Sequence, residues 1–139
     1  MRWNYWVEGG SDPAAQNRQE FVDGFIDFLR PKLNKTWFVW CASEDSEILG
    51  HVFIQVIEKI PKPSAPADTF GYVTNVCMHP SYRNAGVGSQ LMEKVKTWAR
   101  RRDLEFLVLW PSGPSIPFWQ KLEFTVDDPL VFEVRPYVN

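Results

Sequence analysis

Between Phe70 and Trp110 the chain runs through an apolar stretch, a turn holding Gly86 and Gly88, an amphipathic stretch and a second apolar stretch. This succession restricts the fold more than any other part of the sequence. Phe70 to Met78 is rich in the β-branched and aromatic residues of a strand. His79-Pro80-Ser81-Tyr82 then turns the chain, since proline has no N–H with which to continue a ladder. From Gly86 to Asp103 the period is helical: Val87, Leu91, Val95 and Trp98 share a stripe, and Glu93, Lys94, Lys96 and Arg100 fall away from it. Arg100-Arg101-Arg102 places cations where a helix dipole is negative. Leu104 to Trp110 is apolar except for Glu105, as expected of a strand covered on both faces. Strand, helix and strand in this order predict a right-handed crossover between parallel strands, and so an α/β fold.

The flanking segments add antiparallel structure. Ser11-Asp12-Pro13 reads as a helix start, and Phe21, Val22, Phe25, Phe28 and Leu29 form the apolar stripe of that helix, expected to lie in the core and to stop at Pro31. Thr36 to Ala42 and Ile48 to Ile60 read as two antiparallel strands joined through the polar run Ser43 to Glu47. Pro61, Pro63 and Pro66 mark a surface loop. A short helix over Pro117 to Leu122 and a strand pair near Phe124 to Val126 and Leu130 to Val138 complete the reading, with Arg2 to Val7 as a candidate first strand.

At 139 residues, 45% hydrophobic and 23% charged, the chain is expected to form one domain over residues 1–139 with a core of its own. A net charge of −2 gives no basic footprint for nucleic acid. No apolar run approaches the roughly 18 residues of a membrane span and the N-terminus lacks a signal-peptide core, so a cytoplasmic location is expected. Cys41 and Cys77 are too few for a disulfide framework, and with only His51 and His79 beside them no metal centre is expected.

The chemistry is concentrated in Arg83-Asn84-Ala85-Gly86-Val87-Gly88, between a strand and a helix, where backbone N–H groups converge on an anion. Gly86 and Gly88 lack the Cβ atoms that would keep a phosphate from those amides, and Arg83 adds a cationic donor. A dinucleotide fingerprint fits poorly: Leu91 occupies the third glycine position, and Leu107 to Trp110 offers no acid for a ribose. A P-loop is excluded, because the chain has no Gly-Lys pair.

The stretch from Val76 to Leu91, with Arg83 and the two glycines in order, resembles the acetyl-coenzyme A signature of the GNAT N-acetyltransferase superfamily, whose core is R/Q-x-x-G-x-G/A. Leu104 to Trp110, and Trp110 to Phe124 with Phe118-Trp119-Gln120-Lys121-Leu122-Glu123-Phe124, are similar to that superfamily's fifth strand and its "FYEKLGF"-like helix. The resemblance covers roughly residues 36 to 138 and leaves a short N-terminal part.

The resemblance implies a mixed, mostly antiparallel sheet flanked by helices, with a splayed parallel strand pair. It implies acetyl-CoA as acyl donor, and a primary amine of a small molecule or peptide as acceptor, attacking directly in a ternary complex. The main chain of Asn84, Ala85, Gly86, Val87, Gly88 and Ser89 would hold the pyrophosphate, with Arg83 alongside. Val76, Cys77 and Met78 would offer main-chain groups to the pantetheine arm, and an N–H there would polarise the thioester carbonyl. Two departures stand out: Trp119 replaces the tyrosine that commonly protonates the departing thiolate, and Glu123 replaces a glycine. Ser112 stands where an asparagine is common. A catalytically impaired CoA-binding regulatory module is therefore the alternative.

Other residues are weighed singly. Tyr72 and Thr74 share a strand face with Val76 by period-two alternation and are candidates to line the acceptor site, as are Trp110 and Trp119. His51 and Tyr72 are catalytic candidates, His51 as a base, and Glu58 and Asp68 are further carboxylates able to serve. Cys77 reads as a small buried hydrophobe, His79 as a turn residue, and Trp37, Trp40 and Trp98 as core. Pairing of two copies through an edge strand is the expected route to a homodimer.

Overall fold

Two residues suffice to reverse the chain between the first two strands. In the computed structural model β1 (Trp37–Glu44) and β2 (Glu47–Glu58) are joined by Asp45 and Ser46, with φ of 46° and 68°. Positive φ at both central residues gives a turn whose twist matches that of the strands it joins. The ladder thus takes up both ends of the polar run that marked this connection. The structure describes residues 17–63 and 68–126, with Asn4, Leu130, Phe132 and Val134 as isolated positions. The helix start at Asp12 and Pro13, nearly all of the candidate strands over Arg2 to Val7 and Leu130 to Val138, and Pro66 lie outside these residues.

Before the hairpin comes α1 (Arg18–Leu29), capped by the Asn17 side chain, which accepts from the Gln19 N–H at 2.8 Å. Its apolar stripe is not core as expected: no residue of α1 is buried, and Phe28 is 47% exposed. The reason lies in what the stripe meets. Phe25 packs edge-on against Phe53 at 5.8 Å and Phe28 edge-on against Trp37 at 5.7 Å, so single rings of the sheet cover part of the stripe and leave the rest open.

β3 (Thr69–Met78) runs antiparallel to β2, pairing Ile54 with Val73 and Phe53 with Thr74 and then His51 with Cys77. Val52 therefore opposes two residues, Asn75 and Val76, and this β-bulge places Asn75 at φ 51°. The extra residue resets the alternation. Val73 and Val76 both pack toward the buried cluster, so Val76 does not share the face of Tyr72 and Thr74 as strict alternation predicts.

The helix α2 (Val87–Arg101) covers that cluster with Leu91, Met92, Val95 and Ala99. Val52, Ile54, Met92 and Val95 are fully buried, and Trp119 and Leu122 close the group. Trp98 meets Phe38 and Trp40 with ring centroids 4.8 Å away in each case, and the Arg102 guanidinium lies 4.6 Å from the Phe38 ring centroid. Trp37, Trp40 and Trp98 are half-buried at the margin of the core.

β4 is only Leu107–Val108, and the expected strand over Leu104 to Trp110 is both shorter and less covered, with Leu107 to Leu109 half-buried and Trp110 exposed. Main-chain bonds from Gly71 to Phe106 and from Glu105 to Thr69 lead into it. The sheet order is β1-β2-β3-β4, antiparallel except for the parallel β3–β4 pair. A 3₁₀ turn (Gly113–Ser115) then leads into α3 (Ile116–Lys121). Phe124 to Val126 form no strand among the described residues, contrary to expectation.

Glu123 takes up the left-handed conformation that ends α3, at φ 67°, where the sequence comparison calls for glycine. Lys96 on α2 offsets the cost: its Nζ donates to the Leu122 carbonyl at 3.1 Å, the Glu123 carboxylate at 3.0 Å and the Glu93 carboxylate at 3.1 Å. The hydrogen bond to Lys96 holds Glu123 below the ordinary carboxylate range, and the bond to Glu123 raises Lys96. The stabilisation from Glu123 is therefore present above its unfolded-state pKa and lost as pH falls through the lowered folded value; that from Lys96 is lost as pH rises through its raised value. Lys96→Met is expected to lower the melting temperature near neutral pH, and melting curves across pH should show the gap to wild type narrowing as the carboxylates are protonated below about pH 4. A gap that stays constant with pH would refute the linkage.

Candidate functional site

β3 and β4 pair at Gly71↔Leu107 and Tyr72↔Val108 and then separate. Beyond that point β3 still pairs with β2 on its other side: His51 is opposite Cys77, and the His79 N–H bonds to the Leu49 carbonyl at 2.6 Å. Main-chain groups alternate in direction along a strand, so if Cys77 and His79 turn their N–H groups toward β2, Val76 and Met78 turn theirs toward the gap. The Arg83 side chain reaches back over this strand end, its Nε donating to the Met78 carbonyl at 3.3 Å.

The turn that follows shapes the start of α2. Pro80–Tyr82 forms one 3₁₀ turn, in which His79 Nδ1 accepts from the Ser81 N–H at 3.2 Å. His79 is thus a turn residue, as expected. The Tyr82 hydroxyl donates to Glu44 at 3.1 Å, tying this turn to the β1–β2 hairpin, and the bond to the carboxylate raises the phenol. Asn84 and Gly86 both have positive φ, 62° and 82°, and Gly86 caps α2 without any side-chain bond to the first-turn amides. Those amides have no carbonyl partner within the helix, and with the helix dipole they make a hollow suited to an anion.

The two glycines do different work. A Cβ on Gly86 would meet nothing within 4 Å and would stand in the open hollow. One on Gly88 would lie 3.3 Å from the Phe118 ring, so Gly88 lets α2 pack closely on α3. Gly86 thus leaves open space at the start of α2. No cluster of His, Cys, Asp and Glu able to hold a metal occurs among the described residues.

The remaining candidates are only partly brought together. Tyr72 packs edge-on against Trp110 at 5.4 Å, and Trp110 is 63% exposed. Trp119, by contrast, is buried in the core on the α2 side, between Phe118 and Phe124, and its Nε1 donates to Ser115 Oγ at 3.2 Å. It lines one cavity with Trp110, and Tyr72 is not among the residues of that cavity. Ser112 accepts from Ser115 through its carbonyl. Asp68 is paired with Lys62 at 2.9 Å, and that hydrogen bond lowers its pKa, the wrong direction for a base near neutrality. Glu58 is exposed at the far end of β2. Cys77 is buried; Cys41 is exposed on the edge strand, and partial desolvation of its thiol raises it. His51 is buried, with Nδ1 2.8 Å from the Asn75 carbonyl. That contact depends on the bulge, which period-two reasoning missed; the Asn at position 75, a residue tolerant of left-handed backbone, was the only local sign of it.

Fold and site together define an α/β protein in which two parallel strands part beside a glycine-capped helix. The chain belongs to the acetyltransferase (GNAT) family, whose model matches residues 2–124. The family uses acetyl-CoA. The chain is similar to a glucosamine 6-phosphate N-acetyltransferase of Trypanosoma brucei brucei, with 29% identity over 86 residues, 62% of this chain and 56% of that protein. The match thus spans little more than half the length of that relative. Among solved structures, a GCN5-related N-acetyltransferase from Ralstonia eutropha JMP134 superposes with a TM-score of 0.73 at 27% identity, covering 94% of this chain and 86% of that one. A predicted acetyltransferase from Clostridium acetobutylicum, solved with acetyl-CoA, has a TM-score of 0.74 at 22% identity and covers 95% and 84% respectively.

Burial of Trp119 sets an expectation for its substitution. Trp119→Phe removes the Ser115 hydrogen bond but keeps an aromatic ring in the core, and should cost about 1–2 kcal/mol of stability in a denaturant titration. Turnover in the folded variant should stay within about tenfold of wild type, about 1.4 kcal/mol on the barrier. A loss near a thousandfold would show that the indole N–H takes part in transfer.

Proposed function

We propose that this chain transfers the acetyl group of acetyl-CoA to a primary amine. The observation that carries the reading is the parting of β3 and β4 beside the open, glycine-capped start of α2. Acetyl-CoA, as substrate, supplies an acetyl thioester. The amine nitrogen bonds to the acetyl carbon, the carbon–sulfur bond breaks, and a proton lost by nitrogen ends on the departing sulfur. The chain's part is to hold and to polarise. The amides of Asn84 to Ser89 bind the pyrophosphate, Val76 and Met78 pair with the pantetheine arm, and the Val76 N–H donates to the oxygen on which negative charge develops.

Tyr72 and Trp110 offer an aromatic wall to the acceptor, a surface that suits an amine before it loses its proton. The trypanosomal relative is named for glucosamine 6-phosphate, which makes that amino sugar phosphate the first acceptor to try. A second reading, a CoA-binding module without transfer activity, is favoured by Trp119, whose N–H is committed to Ser115.

The test has two stages. Acetyl-CoA and CoA should raise the melting temperature while NAD and ATP do not, because a ligand bound by the native state alone stabilises by RT ln(1 + [L]/Kd). Thiol release is then followed with glucosamine 6-phosphate, aromatic monoamines and peptides with a free amino terminus. Thiol released with one of these amines supports the transferase; binding without release across the panel favours the module. No shift with either coenzyme in folded protein would overturn both.

A further inference from the structure

We propose that His51 is a positioning residue for acyl transfer, acting through the peptide unit between Asn75 and Val76; this rests on the reading of the chain as an acetyl-CoA-dependent transferase. His51 is 6% exposed, and its ring stands edge-on to Phe53 with centroids 5.1 Å apart. Its Nδ1 lies 2.8 Å from the Asn75 carbonyl oxygen. A carbonyl can only accept, so the ring carries a proton on Nδ1 and donates it there. Asn75 is the residue at which β3 bulges, at φ 51°. A bulged peptide is where a ladder defines orientation least, and it needs an outside contact to hold one direction.

The contact acts on the opposite end of the same peptide unit. A trans peptide is planar with its C=O and N–H antiparallel, and the described chain contains no cis bond. Anchoring the Asn75 oxygen therefore fixes the Val76 N–H, which points away from His51. That N–H is the donor assigned above to the thioester oxygen, and such a donor stabilises developing charge only when held in alignment beforehand. His51 so does its work without touching substrate, through a hydrogen bond to the main chain.

The experiment is infrared difference spectroscopy of acetyl-CoA carrying a ¹³C carbonyl, bound without acceptor to wild type and to two variants. In wild type the carbonyl band is expected at lower frequency than in free acetyl-CoA. His51→Phe keeps a ring beside Phe53 but has no donor, and at least half of the shift should be lost, with CoA affinity changed by less than threefold. His51→Asn, whose Nδ2 takes the place of Nδ1, should restore most of the shift. An unshifted band in bound wild type overturns the proposal, as does no restoration in His51→Asn or a full shift in His51→Phe; the last is the result expected of a general base, which acts on the acceptor and leaves the bound thioester carbonyl unchanged. Loss of CoA affinity together with the shift would make the effect one of folding and also overturn it. If His51→Phe does not fold, His51→Leu takes its place, with the same loss of at least half the shift expected and a full shift overturning the proposal. Absence of acetyl-CoA binding to wild type would instead remove the transferase reading itself.

Discussion

Gly86→Val lowers affinity for acetyl-CoA and CoA by at least about a hundredfold, about 2.7 kcal/mol, in a protein that still folds. Two effects act together. The residue sits at φ 82°, a region that a β-branched side chain enters only at a cost of about 1–2 kcal/mol, so the turn shifts or is strained. The new side chain also stands in open space at the mouth of the helix, where the anion is expected, since a Cβ there meets nothing within 4 Å. Calorimetric titration with CoA, paired with a melting curve, separates the two. Unchanged affinity in a folded variant would remove the anion site from this turn. Gly88→Val should differ in kind, costing about 1–3 kcal/mol of stability by pressing on Phe118.

Ile54→Ala destabilises the protein by about 2–5 kcal/mol, the range for removing a large buried aliphatic side chain and leaving a cavity. Ile54 is fully buried, paired with Phe38 on β1 and Val73 on β3, and roofed by α2. Its methyl would also lie 3.2 Å from a Cβ on Gly71, at the start of the parallel pair, so the cavity would open beside the point where β3 and β4 part. Urea unfolding gives the value, and a loss under about 1 kcal/mol would mean that the neighbours collapse into the space. This is a large part of the stability of an ordinary small domain, about 5–15 kcal/mol.

The architecture was legible wherever periodicity is set by local burial. The stripe of Val87, Leu91, Val95 and Trp98 placed α2 within two residues, and the apolar runs placed the three long strands. What escaped depended on contacts distant in sequence. Period-two alternation has no means of registering the bulge at Asn75, so Val76 was assigned to the face of Tyr72, and the tie between His51 and the bulge was invisible. Apolar composition marked both α1 and the stretch before Trp110 as covered, but coverage is decided by what packs over them, and both are partly open. The glycine pair lies at the start of α2, and that one of the two faces a neighbouring helix is a fact that only the position of Phe118 reveals.

The early separation of β3 and β4 has a consequence for how the protein keeps to itself. An outer sheet edge offers its main chain to any neighbouring strand and invites runaway assembly. An edge that opens between two strands of one continuous sheet is flanked on both sides, and is entered lengthwise by something slender. Here β3 beyond Tyr72 has β2 on one side and the diverging chain after Val108 on the other. Backbone exposed in such an opening is shielded from the strand-by-strand stacking that an outer edge invites.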